Sequence, residues 1–389
     1  MGIEWLRIQG YRSLADVTWE PGPLNLLIGP NGSGKSNLLR SLQLLSDAAN
    51  GRLAQSIRRA GGMVPLLWDG QANTLEWQVR LRRSSASEYG HLYRLTLARL
   101  GIGGAYEIEL EQLDIGRAEG GPLKTLLRRD MGHAVGEPFM SLLEEAIDPA
   151  HIRPGETLLA QATLNQPTSL YDARRQLTDW RIYHDVRVDA ESEMRRAQVS
   201  RLEKQVEADG SNLIPVLHTL YTTDRNFKNE IDEAMQAAFG PDFDELLFPP
   251  AEDGRIQLRV RWRSLQREQS AADLSDGMLR FLFLITVLAS PEPPALIAID
   301  EPELGLHPSM LPLIAEFAAD AADRTQVILT THSPQFLDCF SDRAECTTVA
   351  LWEKGRTVLR RLSAERLDRW LEHYRLGQLW LSGELEDAA

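Results

Sequence analysis

Hydrophobic and polar residues follow two different periods along the chain. Towards both ends, short apolar runs and runs in which apolar and polar residues alternate predict β-strands. Between about residue 120 and residue 240, the apolar residues recur at helical spacing, which predicts mainly helices. The pattern therefore predicts an α/β fold in which a mainly helical segment separates two strand-rich parts.

The first part begins with strands that are separated by turn residues. Leu24–Ile28 is a continuous apolar run, which predicts a buried central strand, and Ser36–Ser46 predicts the helix that follows it. In the later runs charged and apolar residues alternate, as in an antiparallel sheet with one solvated face. The other predicted strands of this part are Ile3–Ile8, Ala15–Trp19, Thr74–Arg82, His91–Leu100 and Tyr106–Leu113.

Two helices are predicted in the middle part. Asp224 is placed to cap a helix that runs to Phe239, and Gly240 is placed to end it. Glu191–Glu207 predicts a charged helix with only about two apolar heptad steps, too short for a long coiled coil. The apolar face predicted for the first of these helices consists of Phe227, Ile231, Met235 and Ala238.

The last part returns to alternating strands and helices, which gives three expected parts with the boundaries 1–115, 116–250 and 251–389. A closing hairpin is predicted near the end, with Gly355 in its turn. The predicted strands are Arg255–Trp262, Ala295–Ile299, Val327–Thr331, Thr347–Trp352 and Thr357–Leu362, and the predicted helices are Asp276–Ala289 and Met310–Ala322.

The composition constrains the partners. The chain has 42 Lys and Arg against 56 Asp and Glu, a net charge of −14. Such a surface repels polyanions as a whole, so any contact with DNA has to come from local basic patches and to weaken as salt rises. There is no long uncharged apolar run and no apolar leader, and the two cysteines, Cys339 and Cys346, indicate no disulfide framework. We expect a cytoplasmic protein that does not contact membrane.

The strongest chemical signal is the segment Gly29–Ser36, which reads Gly-Pro-Asn-Gly-Ser-Gly-Lys-Ser. It matches the P-loop pattern and lies between a predicted strand and a predicted helix, as that motif requires. Glycines let backbone N–H groups turn inward around phosphate oxygens, and the helix N-terminus adds the positive end of its dipole. Lys35 is then expected to reach the β- and γ-phosphates, and Ser36 to offer its hydroxyl to Mg²⁺.

A pair of carboxylates, Asp300 and Glu301, ends the predicted buried strand after residue 295. Phosphoryl transfer needs one carboxylate for Mg²⁺ and a group that orients or deprotonates the attacking water. Asp300 suits the first role and Glu301 the second. Because about 265 residues separate this pair from the P-loop, we expect an insertion within the nucleotide-binding domain.

Two more segments allow both a structural and a functional interpretation. Ser275-Asp276-Gly277 precedes an apolar helix, where Ser275 acts either as a simple N-cap or as part of a site for the γ-phosphate held by a second subunit. His332 follows the predicted strand that ends at Thr331, and is either a structural histidine or a hydrogen-bond partner of the γ-phosphate.

The order of these motifs resembles the ABC ATPase superfamily, and within it the RecF, SMC and OLD-type ATPases. The resemblance covers about the first 115 residues and the stretch 255–362. Its narrower form rests on Gly10–Leu14 (Gly-Tyr-Arg-Ser-Leu), on the P-loop followed by Asn37, on Glu301–Pro308, which is similar to the D-loop, and on the Thr-His-Ser-Pro sequence at Thr331–Pro334.

The resemblance implies an α/β, ABC-type P-loop NTPase head with mixed and antiparallel sheets plus a mainly helical insertion. Residues 1–115 and 251–389 are then the two halves of the nucleotide-binding domain, and 116–250 the insertion. It also implies ATP and Mg²⁺ as ligands and a homodimer in the ATP state, with two nucleotides between head-to-tail subunits. Ser36 and Asp300 are the implied metal ligands, and Glu301 and His332 the catalytic residues. The implied nucleotide-binding residues are Arg12, Asn31, Gly32, Ser33, Gly34, Lys35, Ser36, Asn37, Ser275 and Gly277.

The sequence departs from the transporter pattern at three positions. Asp276 stands where transporters have glycine, Met278 where they often have glutamine, and His307 where the D-loop usually has aspartate. Gln71 and Gln78 are alternative candidates for the Q-loop glutamine. The transporter interpretation is therefore the least favoured.

Arg259, Arg261 and Arg263 alternate along a predicted strand and so share one face. This face is either a phosphate-tracking DNA surface or an ordinary solvated sheet face. No Toprim-like acidic cluster follows His332, so we expect no built-in nuclease, and the long arms of SMC proteins are absent. The leading functional hypothesis is an ATPase whose ATP-gated dimerisation acts on DNA or on a DNA-linked partner, as in repair or phage defence. The alternative is a regulatory module in which ATP binding controls a partner effector, such as a nuclease or toxin.

Overall fold

The computed structural model describes residues 2–83, 89–101, 104–117, 123–130, 155–161, 168–362, 370–371 and 373–385. The chain forms two compact units. The first consists of residues 1–180 and 348–361, and the second of residues 181–347 and 362–389. None of the described helices combines the length and the apolar character needed to cross a membrane. The boundary after residue 180 falls inside the predicted 116–250 segment, and the three-part division of the sequence stays a prediction.

A six-stranded antiparallel sheet dominates the first unit, in the order β2-β1-β4-β5-β6-β7. Its strands alternate as predicted: in β4, Leu75, Trp77 and Val79 are fully buried, whereas the polar residues between them are not. The strands are β1 (Ile3–Tyr11), β2 (Leu14–Trp19), β4 (Thr74–Leu81), β5 (Tyr89–Leu100), β6 (Ala105–Arg117) and β7 (Lys124–Asp130).

The P-loop of the first unit lies beside a second group of strands, β17-β16-β3 in that order. Strands β16 and β17 form the predicted antiparallel hairpin, and β3 has the predicted boundaries. These elements are β3 (Leu24–Ile28), α1 (Lys35–Ala49), α2 (Leu53–Arg59), α3 (Thr168–Thr178), β16 (Thr347–Glu353) and β17 (Arg356–Arg361).

A fully buried carboxylate anchors the segment around residue 158 to the antiparallel sheet. Glu111, on β6, accepts hydrogen bonds from the backbone N–H of Leu158 at 2.6 Å and of Leu159 at 2.9 Å, and from the hydroxyl of Tyr93 at 3.0 Å. Burial raises the pKa of Glu111. Near the end of β7, the guanidinium of Arg129 donates to the carbonyl of Glu156 at 3.2 Å. Residues 156–159 are therefore bonded to strands β6 and β7 of the antiparallel sheet.

The second unit is an α/β unit with a parallel strand pair at its centre. Strands β14 and β15 pair in parallel, with Asp300 opposite Thr330, and β8 lies next to β14. The mixed α/β class predicted from the sequence is thus confirmed. The elements are β8 (Trp180–Tyr183), β9 (Gln198–Val199), α4 (Leu213–Thr223), α5 (Arg225–Phe239), β10 (Phe243–Leu247), β11 (Arg255–Ile256), β12 (Arg259–Trp262), β13 (Gln269–Ser270), α6 (Asp276–Leu288), β14 (Leu296–Asp300), α7 (Leu311–Ala322), β15 (Gln326–Thr331), α8 (Pro334–Asp338) and α9 (Leu376–Leu381).

Helix α5 confirms the sequence prediction at both ends. The carboxylate of Asp224 accepts from the backbone N–H of Asn226 and Phe227, and Gly240 ends the helix at φ +91°. Of the predicted apolar face, Phe227, Ile231 and Met235 are buried, whereas Ala238 is half-buried. Part of the predicted helical segment, residues 131–154 and 162–167, lies outside the described residues.

Two sequence predictions in the second unit are wrong. Glu191–Glu207 is not a helix: it contains one short turn, Glu193–Arg195, followed by extended chain. The arginine of that turn donates to the backbone carbonyls of Val188 and Asp189, which folds the chain back on itself instead of continuing a helical ladder. The single strand predicted over Arg255–Trp262 is divided, because β11 pairs with β9 whereas β12 pairs with β10 and β13.

Replacement of Glu111 by alanine tests whether this carboxylate holds Leu158 and Leu159 against the sheet. The change leaves two buried N–H groups and a buried hydroxyl without an acceptor, so we expect the free energy of unfolding to fall by about 3–5 kcal/mol. Chemical denaturation of the two proteins measures this difference. Glu109→Ala, at an exposed position of the same strand, is the matched control and should cost less than about 1 kcal/mol. Equal stabilities of the two variants would contradict the anchoring role.

Candidate functional site

The P-loop connects β3 to α1 through residues 29–34, as the sequence predicts. Gly34 is the N-cap of α1 and has a left-handed conformation, with φ +102°. No side chain caps this end of the helix, and its first turn contains no acidic residue. The helix therefore presents its positive N-terminal end at the loop, the arrangement that binds phosphate.

Lys35 places its ammonium group across the loop. The side chain is buried, and Nζ donates to the carbonyls of Gly29 at 2.6 Å and of Pro30 at 3.1 Å. The hydroxyl of Ser33 is also buried and has no hydrogen-bond partner among the described residues. An ammonium group and an unpaired hydroxyl at one glycine-rich loop fit the oxygen atoms of a triphosphate.

Two hydroxyls hold the end of the loop. The hydroxyl of Thr357 lies 2.8 Å from the carbonyl oxygen of Ser33 and 2.8 Å from the hydroxyl of Ser13, which also accepts from Asn37 Nδ2 at 2.9 Å. A β-carbon at Gly34 would lie 2.0 Å from the Thr357 hydroxyl oxygen and 2.7 Å from that of Ser13. Only glycine fits there. No sequence pattern connects Thr357 with the P-loop, because the two are far apart along the chain.

Arg12 lies in the turn between β1 and β2, in the same unit as the P-loop. Its backbone has φ +44°, and its N–H donates to the carbonyl of Leu66 at 2.9 Å. One guanidinium nitrogen lies 3.5 Å from Asn37 Oδ1, at the limit of a hydrogen bond. The structure thus brings Arg12 to the helix that begins at the P-loop, and its role in nucleotide binding stays a prediction.

Asp300 is the last residue of β14 in the second unit, Glu301 follows it, and both are hydrogen-bonded by Thr330 on β15. The hydroxyl of Thr330 hydrogen-bonds the carboxylate of Asp300. The backbone N–H of Glu301 donates to the carbonyl of Thr330 at 3.2 Å and to its hydroxyl oxygen at 3.1 Å. Glu301 has φ +49°, a left-handed conformation that is uncommon for a residue with a side chain.

His332 pairs with Glu301. The distance from His332 Nδ1 to Glu301 Oε1 is 2.8 Å, and the two side chains are 41% and 26% exposed, respectively. A carboxylate that accepts from Nδ1 fixes the ring orientation and leaves Nε2 for a second partner. The pair combines a hydrogen-bonded carboxylate and an oriented imidazole at the end of a parallel strand.

Arg280 and Glu303 belong to the same cluster and were not predicted. One guanidinium nitrogen of Arg280 donates to the carbonyl of Glu301 at 3.1 Å. The carboxyl of Glu303 hydrogen-bonds the hydroxyl of Thr331, and burial raises the pKa of Glu303. Burial also lowers the pKa of the Arg280 guanidinium, while the nearby Glu303 and Glu301 carboxylates oppose that effect. A signal was present, since Arg280 is the one basic residue in the otherwise apolar helix α6.

The segment Ser275-Asp276-Gly277, called the signature segment from here on, lies at the start of α6. Ser275 is the N-cap, and its hydroxyl accepts from the backbone N–H of Met278 at 3.2 Å. A β-carbon at Gly277 would lie 2.8 Å from the carbonyl oxygen of Gly305, so the predicted D-loop packs directly on the signature. His307 caps the short turn Pro308–Met310 by accepting from the backbone N–H of Ser309. The structure therefore gives Ser275 its capping role, and its phosphate-binding role stays a prediction.

The two Q-loop candidates each bond to a nearby carboxylate. Gln71 Nε2 donates to Asp69 at 2.8 Å, and Gln78 Nε2 donates to Glu76 at 2.6 Å. Neither contact favours one glutamine over the other.

The predicted basic face on β12 is paired with acids. Val260, between the arginines in sequence, is buried behind them, as expected. Each arginine, however, has a carboxylate within 4 Å: the pairs are Arg259–Glu268, Arg261–Glu245, Arg261–Glu268 and Arg263–Asp244. Three guanidinium groups face three carboxylates, so this face has little excess positive charge with which to attract phosphate.

A family model matches the two stretches of the chain that contain these residues. The family model described as "AAA domain, putative AbiEii toxin, Type IV TA system" matches residues 24–100 and 157–338. The match covers the P-loop, the signature segment, the Asp300–Glu301 pair and His332.

Two curated relatives belong to the branch that the motifs resemble. The DNA replication and repair protein RecF of Pseudomonas fluorescens is 34% identical over 91 residues, which is 23% of this chain and 23% of RecF. The OLD nuclease of Thermus scotoductus is 23% identical over 352 residues, which is 86% of this chain and 60% of the nuclease. The chain thus spans less than two thirds of the length of either relative.

Solved structures show the same fold. An SMC head bound to the C-terminal winged-helix domain of ScpA superposes with a TM-score of 0.59 at 14% identity, covering 95% of this chain and all of that one. An SMC head with an extended coiled coil, bound to the C-terminal domain of ScpA derived from Pyrococcus furiosus, gives 0.52 at 13% identity, covering 95% and 98% of the two chains. The resemblance to the RecF, SMC and OLD-type ATPases is confirmed.

Replacement of Gly34 by alanine tests the fit of the P-loop. The methyl group meets two fixed hydroxyls, and the left-handed backbone adds strain, so we expect a loss of more than about 2 kcal/mol in unfolding free energy and loss of ATP binding. Denaturation and fluorescent-nucleotide titration measure the two effects. Gly32→Ala is the matched control for stability: its φ is also positive, at +84°, but nothing lies within 4 Å of the new carbon. The Gly32 variant should lose only about 1 kcal/mol of unfolding free energy. A Gly34 variant as stable as the Gly32 variant would refute the steric argument.

Proposed function

Starting from the fact that this chain belongs to the family described as "AAA domain, putative AbiEii toxin, Type IV TA system", we propose that it binds and hydrolyses Mg-ATP and that ATP controls its dimerisation. This proposal rests on the Glu301–His332 pair, which lies beside Asp300 at the ends of two parallel strands. The same chain also contains a complete P-loop. Carboxylates at these positions serve phosphoryl transfer to water.

Each residue has a role that follows from its chemistry. Lys35 and the amides at the start of α1 would hold the β- and γ-phosphates, and Ser36 and Asp300 would each offer an oxygen to Mg²⁺. The ion, when bound, neutralises charge on the phosphates. Glu301 orients and deprotonates the attacking water, and His332, whose Nδ1 lies 2.8 Å from Glu301, contacts the γ-phosphate through Nε2.

The strained backbone of Glu301 supports this assignment. A left-handed conformation at a glutamate costs about 1–2 kcal/mol, and such strain occurs mainly where function requires a side chain in a fixed position. The bonds from its N–H to Thr330 and from Arg280 to its carbonyl hold that conformation. A glutamate with only a structural role does not require this arrangement.

The ATP-bound dimer is proposed to act on DNA or on a DNA-linked partner, as the names of the RecF and OLD relatives suggest. A second candidate is a regulatory module that controls a partner effector such as a nuclease or toxin. The pairing of the β12 arginines with carboxylates favours the second candidate, because it removes the basic face that a direct DNA contact would use.

Glu301→Gln tests the ATPase assignment. Glutamine keeps the size of the side chain but cannot accept a proton, so we expect ATP binding to persist and kcat to fall by at least about a hundredfold. Phosphate release measures turnover. Glu316→Gln, at an exposed position on α7, is the matched control and should leave turnover unchanged. A Glu301 variant that hydrolyses ATP at the parental rate would remove Glu301 as the base.

The same variant tests dimerisation. Multi-angle light scattering of Glu301→Gln should show monomer mass without nucleotide and dimer mass with Mg-ATP, because the nucleotide is bound but not consumed. The second change Lys35→Ala should abolish the shift by weakening ATP binding. An unchanged mass on addition of Mg-ATP would contradict an ATP site shared between two copies.

The DNA surface on β12 is tested by Arg259→Gln together with Arg261→Gln. Because both arginines are already paired with Glu245 and Glu268, we expect DNA affinity at low salt to change by less than about twofold. Fluorescence anisotropy with a labelled duplex measures it. A tenfold loss of affinity would identify this face as a DNA contact after all.

A further inference from the structure

Arg195, in the segment between β8 and α4, contacts the segment Ser275–Gly277 and the turn before it through its side chain. Arg195 is only 8% exposed, although it lies in a turn next to exposed residues. Its Nε atom donates to the carbonyls of Val188 and Asp189, both at 3.0 Å, within its own loop. One terminal nitrogen donates to three carbonyls of the turn that leads into α6: those of Leu274 at 2.6 Å, Ala272 at 3.2 Å and Ala271 at 3.3 Å.

The other terminal nitrogen of Arg195 bonds the carboxylate of Asp276. Asp276 is the first residue of α6, directly after the N-cap Ser275, and its side chain is 66% exposed. A carboxylate at this position is favourable for an isolated helix, but it repels any second anion that approaches the same N-terminus. Asp276 also stands where transporter signatures have glycine, so the chain carries a charge there that those signatures lack.

We propose that Arg195 is a positioning residue for the signature segment. It holds the turn at residues 271–274 by its carbonyl contacts and compensates the charge of Asp276, so that the N-terminus of α6 can receive the γ-phosphate of ATP bound to a second copy. This inference rests on the proposed ATP-dependent dimer. It also explains the loss of the helix predicted over Glu191–Glu207, because the contacts that Arg195 makes are incompatible with a regular helix at that point.

The neighbouring residue offers a matched control. Arg196 is 50% exposed and pairs with Glu191 at 2.8 Å and Glu193 at 3.0 Å, both on its own turn. Arg196→Met therefore removes the same charge from the same turn without loss of a contact to the signature.

The first experiment compares Arg195→Met with Arg196→Met in the full-length Glu301→Gln background. The measured quantity is the Mg-ATP concentration that gives half-maximal dimer in light scattering. We expect Arg195→Met to raise this Mg-ATP concentration by about tenfold or more, because charge-assisted hydrogen bonds are lost. Arg196→Met should leave it within about twofold of the parental value. Binding of a fluorescent ATP analogue to the monomer should be the same in both. An unchanged half-maximal concentration in Arg195→Met overturns the proposal.

The second experiment separates charge compensation from simple packing. Asp276→Asn, added to Arg195→Met, removes the uncompensated carboxylate and should restore the half-maximal concentration to within about threefold of the parental value. A purely structural role for Arg195 predicts no such rescue, because the double variant still lacks the carbonyl contacts. Failure of the rescue therefore overturns the charge-compensation part of the proposal.

Hydrogen exchange in the absence of nucleotide tests the positioning role of Arg195 separately from the proposed ATP-dependent dimer. Hydrogen exchange of residues 271–279 should be at least about tenfold faster in Arg195→Met than in Arg196→Met, because the turn loses its clamp. If the parental protein does not dimerise with ATP, the proposed function fails, and this exchange rate alone decides whether Arg195 positions the segment. Equal exchange in the two variants overturns the positioning role.

Discussion

The P-loop and the signature segment each contain a glycine that lies too close to another segment of the chain to allow a side chain. At Gly34 the loop end lies against the hydroxyls of Thr357 and Ser13, and at Gly277 the start of α6 lies against the carbonyl of Gly305. In each place a single methyl group would fall within 3 Å of a fixed polar atom. The consequence is rigidity, since each loop is held by atoms distant in sequence and cannot relax separately.

Backbone strain marks the same regions of the molecule. Arg12 and Glu301 are two of the few non-glycine residues with positive φ among the described residues, and both were predicted to contact nucleotide or water. A backbone hydrogen bond holds each of these conformations: the N–H of Arg12 donates to Leu66, and the N–H of Glu301 donates to Thr330. The strain is therefore sustained by secondary structure on either side of the loop, as is usual where a side chain has to be fixed before the ligand arrives.

The sequence predicted what depends on local patterns. The P-loop and the helix that Asp224 caps follow from residues within a few positions of each other, and both are confirmed in position. It could not predict contacts that depend on distant segments. Thr357 contacts the P-loop from the closing hairpin, and Arg195, in the segment for which a helix was predicted, donates to the carbonyl of Leu274 before α6. Arg280 is the one basic residue of helix α6, and a basic residue within an apolar stretch is a local signal that indicates a buried polar contact.

The anchor around Glu111 has a consequence for how this protein can vary. On one side of positions 131–154, Arg129 of β7 donates to the carbonyl of Glu156. On the other side, the backbone N–H of Leu158 donates to Glu111 of β6. The described residues that flank these positions are therefore bonded to the same part of the sheet, and a reporter domain inserted between residues 130 and 155 should leave these flanking contacts in place.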